Sequence, residues 1–218
     1  MKSYAIYGAS GCGRGVMPLV RQQLQLLLQS GAVDLVFVDD KPSSAMVNGQ
    51  RVLTYAQWMA EPASSRHVCI AIANTHVREQ LTLRCAQDGV TFFEVSATNV
   101  TRLDDVQLGE GAVLCPFVTL TSNIRIGRHF HANLYSYVEH DCEIGDFVTF
   151  APGVMCNGNV RIEDHAYIGA GAIIKPGVLG APLVIGRGAV VGMGAVVTKS
   201  VPAGVTVVGN PARSLVKS

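Results

Sequence analysis

The sequence predicts a small α/β unit followed by a parallel β-solenoid of triangular cross-section. Three observations carry this. From Leu108 onward an apolar residue recurs at every sixth position. Before about residue 95 strand-like and helix-like segments alternate instead. Glycine, 23 residues in all, is dense after about residue 105, while aromatic residues make up only 6% of the chain. The shift places the junction near residues 95–105, with an α/β unit expected over 1–95 and a repeat unit over 96–218.

In the first unit, Lys2–Tyr7 reads as a buried strand, followed by the turn Gly8-Ala9-Ser10-Gly11-Cys12-Gly13-Arg14-Gly15. A helix is expected over Val16–Gln29, ended by Gly31. Val33–Val38 is a second strand, closed by Asp39-Asp40-Lys41-Pro42. Val68–Ala73 is a third, then a helix from Thr75, its expected N-cap, to Gln87, and Thr91–Glu94 completes the unit. Strands alternating with helices imply a small parallel sheet. A glycine-rich turn between a strand and its helix offers backbone N–H groups to a phosphate. The spacing is G-x-x-G-x-G-x-G rather than the dinucleotide pattern G-x-G-x-x-G, which weakens an NAD-dependent reading. Asp39 ends the second strand, where a carboxylate can accept from a ribose or base. The plainer alternatives are a structural glycine turn and an acidic pair that merely opens the turn before Pro42.

In the second unit the sixfold register runs from Leu108 through Leu114, Leu120, Ile126, Ala132 and Val138 to Ile174, twelve hexads without a slip. A second apolar series lies four residues after each member, as in Val118, Ile124, Cys142 and Val148. After Ile174 the register jumps eleven residues to Ile185, five more than one hexad, and three further hexads follow. A period of six suits neither a helix nor an ordinary strand. It suits three short strands per coil of eighteen residues, with coils about 4.8 Å apart. Fifteen hexads give five coils, with a loop bulging near Val178–Leu183.

Charged residues are only 15%, and the net charge of +1 offers no basic patch for nucleic acid. Mean hydropathy is +0.31, yet no stretch without Asp, Glu, Lys or Arg exceeds fourteen residues, short of the about 20 a membrane-spanning helix needs. The amino terminus has one cation and too short an apolar core for an export signal, so a cytoplasmic location is expected. The six cysteines form no C-x-x-C pair and read as reduced.

The eighteen-residue coil stacks position i on i+18, so Gly158 is expected one coil beyond His140. His67, His76 and His165 read as solvated. His129 and His131 flank Phe130, and a metal cluster of these two with His140 is disfavoured because no Cys joins them at ligand spacing. No metal is expected.

The repeat, with the ending Gly209-Asn210-Pro211-Ala212-Arg213, resembles the hexapeptide-repeat acyltransferases, and that resemblance implies a left-handed parallel β-helix. With the α/β unit ahead of it, the chain resembles the nucleotide-sugar N-acetyltransferases that act on UDP-4-amino-sugars in bacillosamine-type glycan biosynthesis. A sister group acetylates sialic acid hydroxyls. The segment Val138-Glu139-His140-Asp141-Cys142-Glu143-Ile144-Gly145-Asp146-Phe147 resembles the family's catalytic stretch. The resemblance implies that His140 is the general base, that Asp141 tunes it, and that the amide of Gly158 meets the thioester carbonyl. An imidazole with an ordinary pKa of about 6.5 suits that role. The resemblance further implies that Ser10, Gly11 and Gly13 hold the UDP diphosphate and Asp39, Asp40 and Lys41 the uridine. Asn133 would stand beside the amine, with acetyl-CoA as co-substrate against Gly158, Ala170, Lys199, Pro211 and Arg213. One departure is Thr149, where some members carry a second histidine. The expected assembly is a homotrimer with active sites between subunits. Alternatives are O-acetylation of a sialic-acid-like sugar, or a non-catalytic nucleotide-sugar binder.

Overall fold

The computed structural model describes residues 1–215 and divides into two compact units, Met1–Ser96 and the chain from Ala97 onward. The end of the expected 96–218 unit, residues 216–218, lies outside the described residues.

The first unit runs β1 (Lys2–Tyr7), α1 (Gly11–Gln23), α2 (Gln25–Gln29), β2 (Val33–Val38), β3 (Met46–Val47), β4 (Gln50–Leu53), α3 (Tyr55–Ala60), β5 (Ser65–Ile70), α4 (Thr75–Gln87) and β6 (Thr91–Phe92). The sheet order is β3-β4-β2-β1-β5-β6, parallel except for the β3–β4 hairpin. Ala5, Ile6 and Tyr7 are consecutive and all buried, as are Val36, Phe37 and Val38, because helices cover a parallel sheet on both faces. Trp58 of α3 is wholly buried and donates its indole N–H to Ser3 Oγ at 2.7 Å.

Several expected boundaries move. The first helix starts at Gly11, inside the glycine turn, and breaks at Leu24. The third strand is Ser65–Ile70 rather than Val68–Ala73, because its register against β1 begins at Ser65 opposite Lys2. Asn74, not Thr75, caps α4, its side chain accepting from Val77 N at 3.1 Å. The segment β3–β4–α3 is not among the expected elements; its one sequence signal is Thr54 and Gln57, which form a reciprocal capping box.

The second unit is a left-handed parallel β-helix. Its first face stacks Val113–Leu114, His131–Ala132, Thr149–Phe150, Tyr167–Ile168, Val190–Val191 and Thr206–Val208. Its second face stacks Thr101–Arg102, Thr119–Leu120, Tyr137–Val138, Met155–Cys156, Ile173–Ile174 and Val196–Val197. The third holds Val106–Leu108, Ile124–Ile126, Glu143–Ile144, Val160–Ile162 and Leu183–Ile185. Tyr137 lies opposite Met155 and Glu143 opposite Arg161, each eighteen residues on. The sixfold apolar series forms one buried cluster along the axis, each fully buried Ile or Leu contributing about 1.5–3 kcal/mol. Ile162 faces Ile185, twenty-three residues on, so the five extra residues leave as a loop whose tip, Leu179, is 89% exposed. Ile185 then faces Val201, only sixteen residues on, and this shortened coil ends the hexad register.

Three corners turn the chain, and each stacks its own residue types. Between the second and third faces come Asp105, Asn123, Asp141 and Asn159, with φ of 53°, 57°, 57° and 56°, a left-handed conformation that Asn and Asp tolerate best after glycine. Between the third and first faces, His129, Phe147 and His165 stack as parallel rings with centroids 5.1 and 5.3 Å apart. His129 is fully buried there and His131 nearly so. His165 is half-buried, and His67 is half-buried against the Tyr4 ring at 4.6 Å, so neither is the solvated side chain expected. His76 is exposed. None of the six cysteines forms a disulfide. Among the described residues, no helix is long and apolar enough to cross a membrane.

Candidate active site

His140 follows Tyr137–Val138 at the corner between the second and third faces, and its side chain is 56% exposed. Its Nδ1 lies 2.7 Å from Asp141 Oδ2. An ionised carboxylate only accepts, so Nδ1 carries a proton and, in the neutral imidazole, Nε2 keeps its lone pair. The hydrogen bond from His140 holds the Asp141 carboxyl below the usual range, helped by a second bond from Asn123. Reciprocally, the bond to Asp141 raises the His140 imidazole above its ordinary value. Both groups stand in solvent, so this is a local effect of pairing rather than burial.

Gly158 lies one coil beyond His140, and the imidazole packs directly on it. A Cβ at Gly158 would stand 2.6 Å from Cε1 and 2.7 Å from Nε2 of the ring. The segment bearing Gly158 is clamped from both neighbouring coils: Tyr137 Oη donates to Asn157 Oδ1 at 3.0 Å, and Asn157 Nδ2 donates to the Ile174 carbonyl at 2.7 Å. The corner thus presents an imidazole lone pair and a fixed backbone segment side by side. A cavity of about 290 Å³ borders Asp141 and the inserted loop, lined in part by Asn159, Val178 and Leu179. The larger concavity, about 790 Å³, lies over the third face among Arg125, Glu143 and Arg161. That surface is an open ladder of ion pairs such as Arg161–Glu143 at 2.8 Å and Arg187–Asp164 at 2.6 Å, so its carboxylates are engaged by arginines.

In the first unit, Ser10 stands at the N-cap of α1, with Gly11 exposed beside it. Gly13 is obligatory, because a Cβ there would lie 1.7 Å from the carbonyl oxygen of Gly8. Asp39 organises the turn: Oδ2 accepts from Ala9 N at 3.2 Å and Oδ1 from Lys41 N at 3.0 Å. A cavity of about 230 Å³ opens here, lined by Ser10, Asp39, Lys41, Ser43 and Ser44 among others.

The family model described as the hexapeptide repeat of succinyl-transferase matches residues 159–199. A GDP-perosamine N-acetyltransferase of Escherichia coli O157:H7 is 49% identical over 218 residues, covering 100% of this chain and 98% of that protein. The chain belongs to the nucleotide-sugar N-acetyltransferase family. Among solved structures, WeeI from Acinetobacter baumannii AYE is 59% identical, covers 99% of this chain and 100% of its own, and superposes with a TM-score of 0.95. The acetyltransferase domain of PglB from Neisseria gonorrhoeae FA1090, in complex with acetyl coenzyme A, is 28% identical over 98% of this chain and 99% of its own, with a TM-score of 0.84. The protein is therefore an acyltransferase, of the kind that N-acetylates sugars.

In this N-acetyltransferase the site residues expected in the second unit fall into three groups. His140, Asp141 and Gly158 share one corner, and Lys199 continues their column, since Ile174 faces Val197 across the insertion. Asn133 and Ala170 lie instead at the corner between the first and second faces. There Asn133 Oδ1 accepts from Leu134 N at 2.8 Å, and the Ala170 carbonyl accepts from Gly194 N at 2.8 Å. Within one chain Asn133 is thus across the second face from His140. Pro211 and Arg213 are exposed, Arg213 in a short strand antiparallel to Thr206–Val208. Asp40 does not line the Ser10–Asp39 cavity. Its Oδ2 accepts from Tyr7 Oη at 2.7 Å and from Arg84 Nη1 at 3.1 Å, while burial and that bond push the Tyr7 phenol well up. Asn123, Tyr137 and the clamping role of Asn157 are not among the residues expected from sequence. Only the eighteen-residue spacing of Asn123, Asp141 and Asn159 could have shown the first, and nothing marked the other two.

Proposed function

We propose that this enzyme transfers the acetyl group of acetyl-CoA to the 4-amino group of a nucleotide-linked amino-sugar, with His140 as general base. The amine nitrogen attacks the thioester carbonyl carbon, and its proton passes to His140 Nε2. The carbon–sulfur bond then breaks, and the proton leaves with the thiolate as CoA thiol. The Gly158 N–H would hold the oxyanion that forms between these steps. The observation that carries the reading is the His140 ring seated on Gly158 with Nδ1 tied to Asp141. A binding protein has no use for a base poised there.

The first unit, roughly residues 1–95, would hold the nucleotide, with Ser10, Gly11 and Gly13 at the diphosphate and Asp39 and Lys41 at the base. Asp40 would act indirectly, by fixing Tyr7 and Arg84. The repeat unit would carry acetyl-CoA along Gly158, Ala170 and Lys199, with Pro211 and Arg213 towards its nucleotide end. The second face presents Tyr137, Met155, Ile173 and Val196 outward, while the third presents Arg125, Glu143 and Arg161. An apolar face beside a charged one suits a homotrimer closed along the second face. A neighbouring copy would then bring Asn133 to the amine bound at His140. No metal is required, and the reaction suits the cytoplasm, where acetyl-CoA is made.

UDP is the nucleotide we infer, from the resemblance of the Gly turn and Asp39-Asp40-Lys41 to the UDP-sugar enzymes. GDP is a second reading, favoured by the 49% identity to a GDP-perosamine enzyme. A thiol-release assay with acetyl-CoA and UDP-, GDP- and CMP-linked amino-sugars, with free sugars alongside, tests both. Turnover of one nucleoside-diphosphate sugar well above the free sugar supports the assignment. Equal turnover of the free sugar, or turnover of a sialic-acid-like hydroxyl alone, overturns it.

A further inference from the structure

The corner that carries His140 holds one more polar side chain aimed at the pair. Asn123 lies eighteen residues before Asp141, one coil below it, in the same left-handed conformation with φ of 57° at both positions. The backbone keeps the two in register: Asp141 N donates to the Ser122 carbonyl at 3.1 Å, and Asn123 N donates to the Asp104 carbonyl at 3.1 Å. From there Asn123 Nδ2 donates to Asp141 Oδ1 at 3.2 Å, while Asp141 Oδ2 faces His140 Nδ1 at 2.7 Å. The two carboxylate oxygens are thus divided, one to the amide below and one to the imidazole.

We infer that Asn123 is a positioning residue of the acetyl-transfer reaction, its amide turning the Asp141 carboxylate so that His140 carries its proton on Nδ1 and offers Nε2 as base. The inference rests on the proposed role of His140. A solvent-exposed carboxylate is free to rotate about χ2 and to exchange its imidazole bond for water. With Oδ1 anchored, rotation breaks two hydrogen bonds instead of one. Asn also fits the position on backbone grounds, so the side chain has to be removed without straining the turn. Glycine does this, because it adopts positive φ freely.

The test is a double-mutant cycle on the full-length enzyme, joining Asn123→Gly and Asp141→Gly, with thermal melting and both KM values measured throughout. Asn123→Gly is expected to lower kcat about three- to tenfold, within the range of coupling between neighbouring groups. Both KM values and Tm should stay near those of the parent. In the Asp141→Gly background the same substitution should have no further effect on kcat. Nitrogen-15 spectra of the His140 ring should show the neutral form moving away from the Nδ1–H tautomer in Asn123→Gly. Parent kcat in Asn123→Gly, or an equal loss with and without Asp141, overturns the inference. A His140→Ala control separates the two ideas. If it is impaired while Asn123→Gly is not, only the positioning role fails. If it retains full kcat, the base assignment fails and this inference with it.

Discussion

Substituting Gly158 by alanine displaces the proposed base without removing it. The added Cβ would lie 2.6 Å from His140 Cε1 and 2.7 Å from Nε2, against the about 3.4 Å at which such atoms normally touch. The ring must therefore retreat by about 0.8 Å, the difference between 3.4 and 2.6 Å. His140 is more than half exposed, so it can swing outward without disturbing the core. A misplacement of about 1 Å costs up to about 10²-fold in rate, so Gly158→Ala should lower kcat about 10- to 10²-fold, or about 1.4–2.7 kcal/mol in the barrier. The φ of Gly158 is not in the positive region, so alanine adds no backbone strain, and Tm should stay within about 2 °C of the parent. Steady-state kinetics with saturating acetyl-CoA, beside a melting curve, reads both quantities. Parent kcat with unchanged Tm would refute the reasoning, because the ring could then move that far without consequence.

Three further outcomes follow from the same geometry. The bond to Asp141 raises the His140 pKa, so protonation disables the base up to a higher pH than for an ordinary imidazole; Asp141→Asn should move the ascending limb of the kcat–pH profile to lower pH, and an unmoved limb would exclude His140 as the titrating group. Asp39→Ala removes the carboxylate that accepts from Ala9 N and Lys41 N, so the nucleotide-sugar KM should rise about tenfold or more while the acetyl-CoA KM holds; equal weakening of both would contradict a nucleotide site in the first unit. Ile173→Arg places a charge on the apolar second face, and light scattering should show the proposed trimer dissociating with loss of activity; an active monomer would remove the shared-site proposal.

The solenoid was legible because its inward positions obey one rule without exception for twelve hexads. Each coil seats an apolar side chain at the same place on each face, so Leu120, Val138 and Cys156 announce the fold before any contact is seen. The same arithmetic put Gly158 against His140. Asn133 shows where that arithmetic stops. Seven residues from His140 in sequence, it lies at another corner of the coil, and periodicity within one chain says nothing about a neighbouring copy. The stretch from Met46 to Ala60 was hidden for a different reason. Its strands are two and four residues long, too short to display a period, and only the Thr54–Gln57 capping box marks the helix behind them. Helix α1 began earlier than expected because Gly11, Cys12 and Gly13 read as a loop by propensity. In the fold Gly13 packs so closely on the Gly8 carbonyl that a Cβ would stand 1.7 Å from its oxygen, so the glycine that lowers helix propensity is what lets this first turn fit. Asp39 and Asp40 look equivalent in sequence, yet their carboxylates serve different partners, which only the fold around Tyr7 and Arg84 decides.

The central claim is that the imidazole of His140 takes the proton of the attacking amine. Its most direct measurement is kcat for His140→Ala, in protein whose oligomeric state matches the parent, across a range of pH. The account predicts a fall of about 10²–10⁴-fold near neutral pH, with both substrates still bound and residual turnover rising with pH as free amine accumulates. Parent kcat, with the same pH profile, would contradict it.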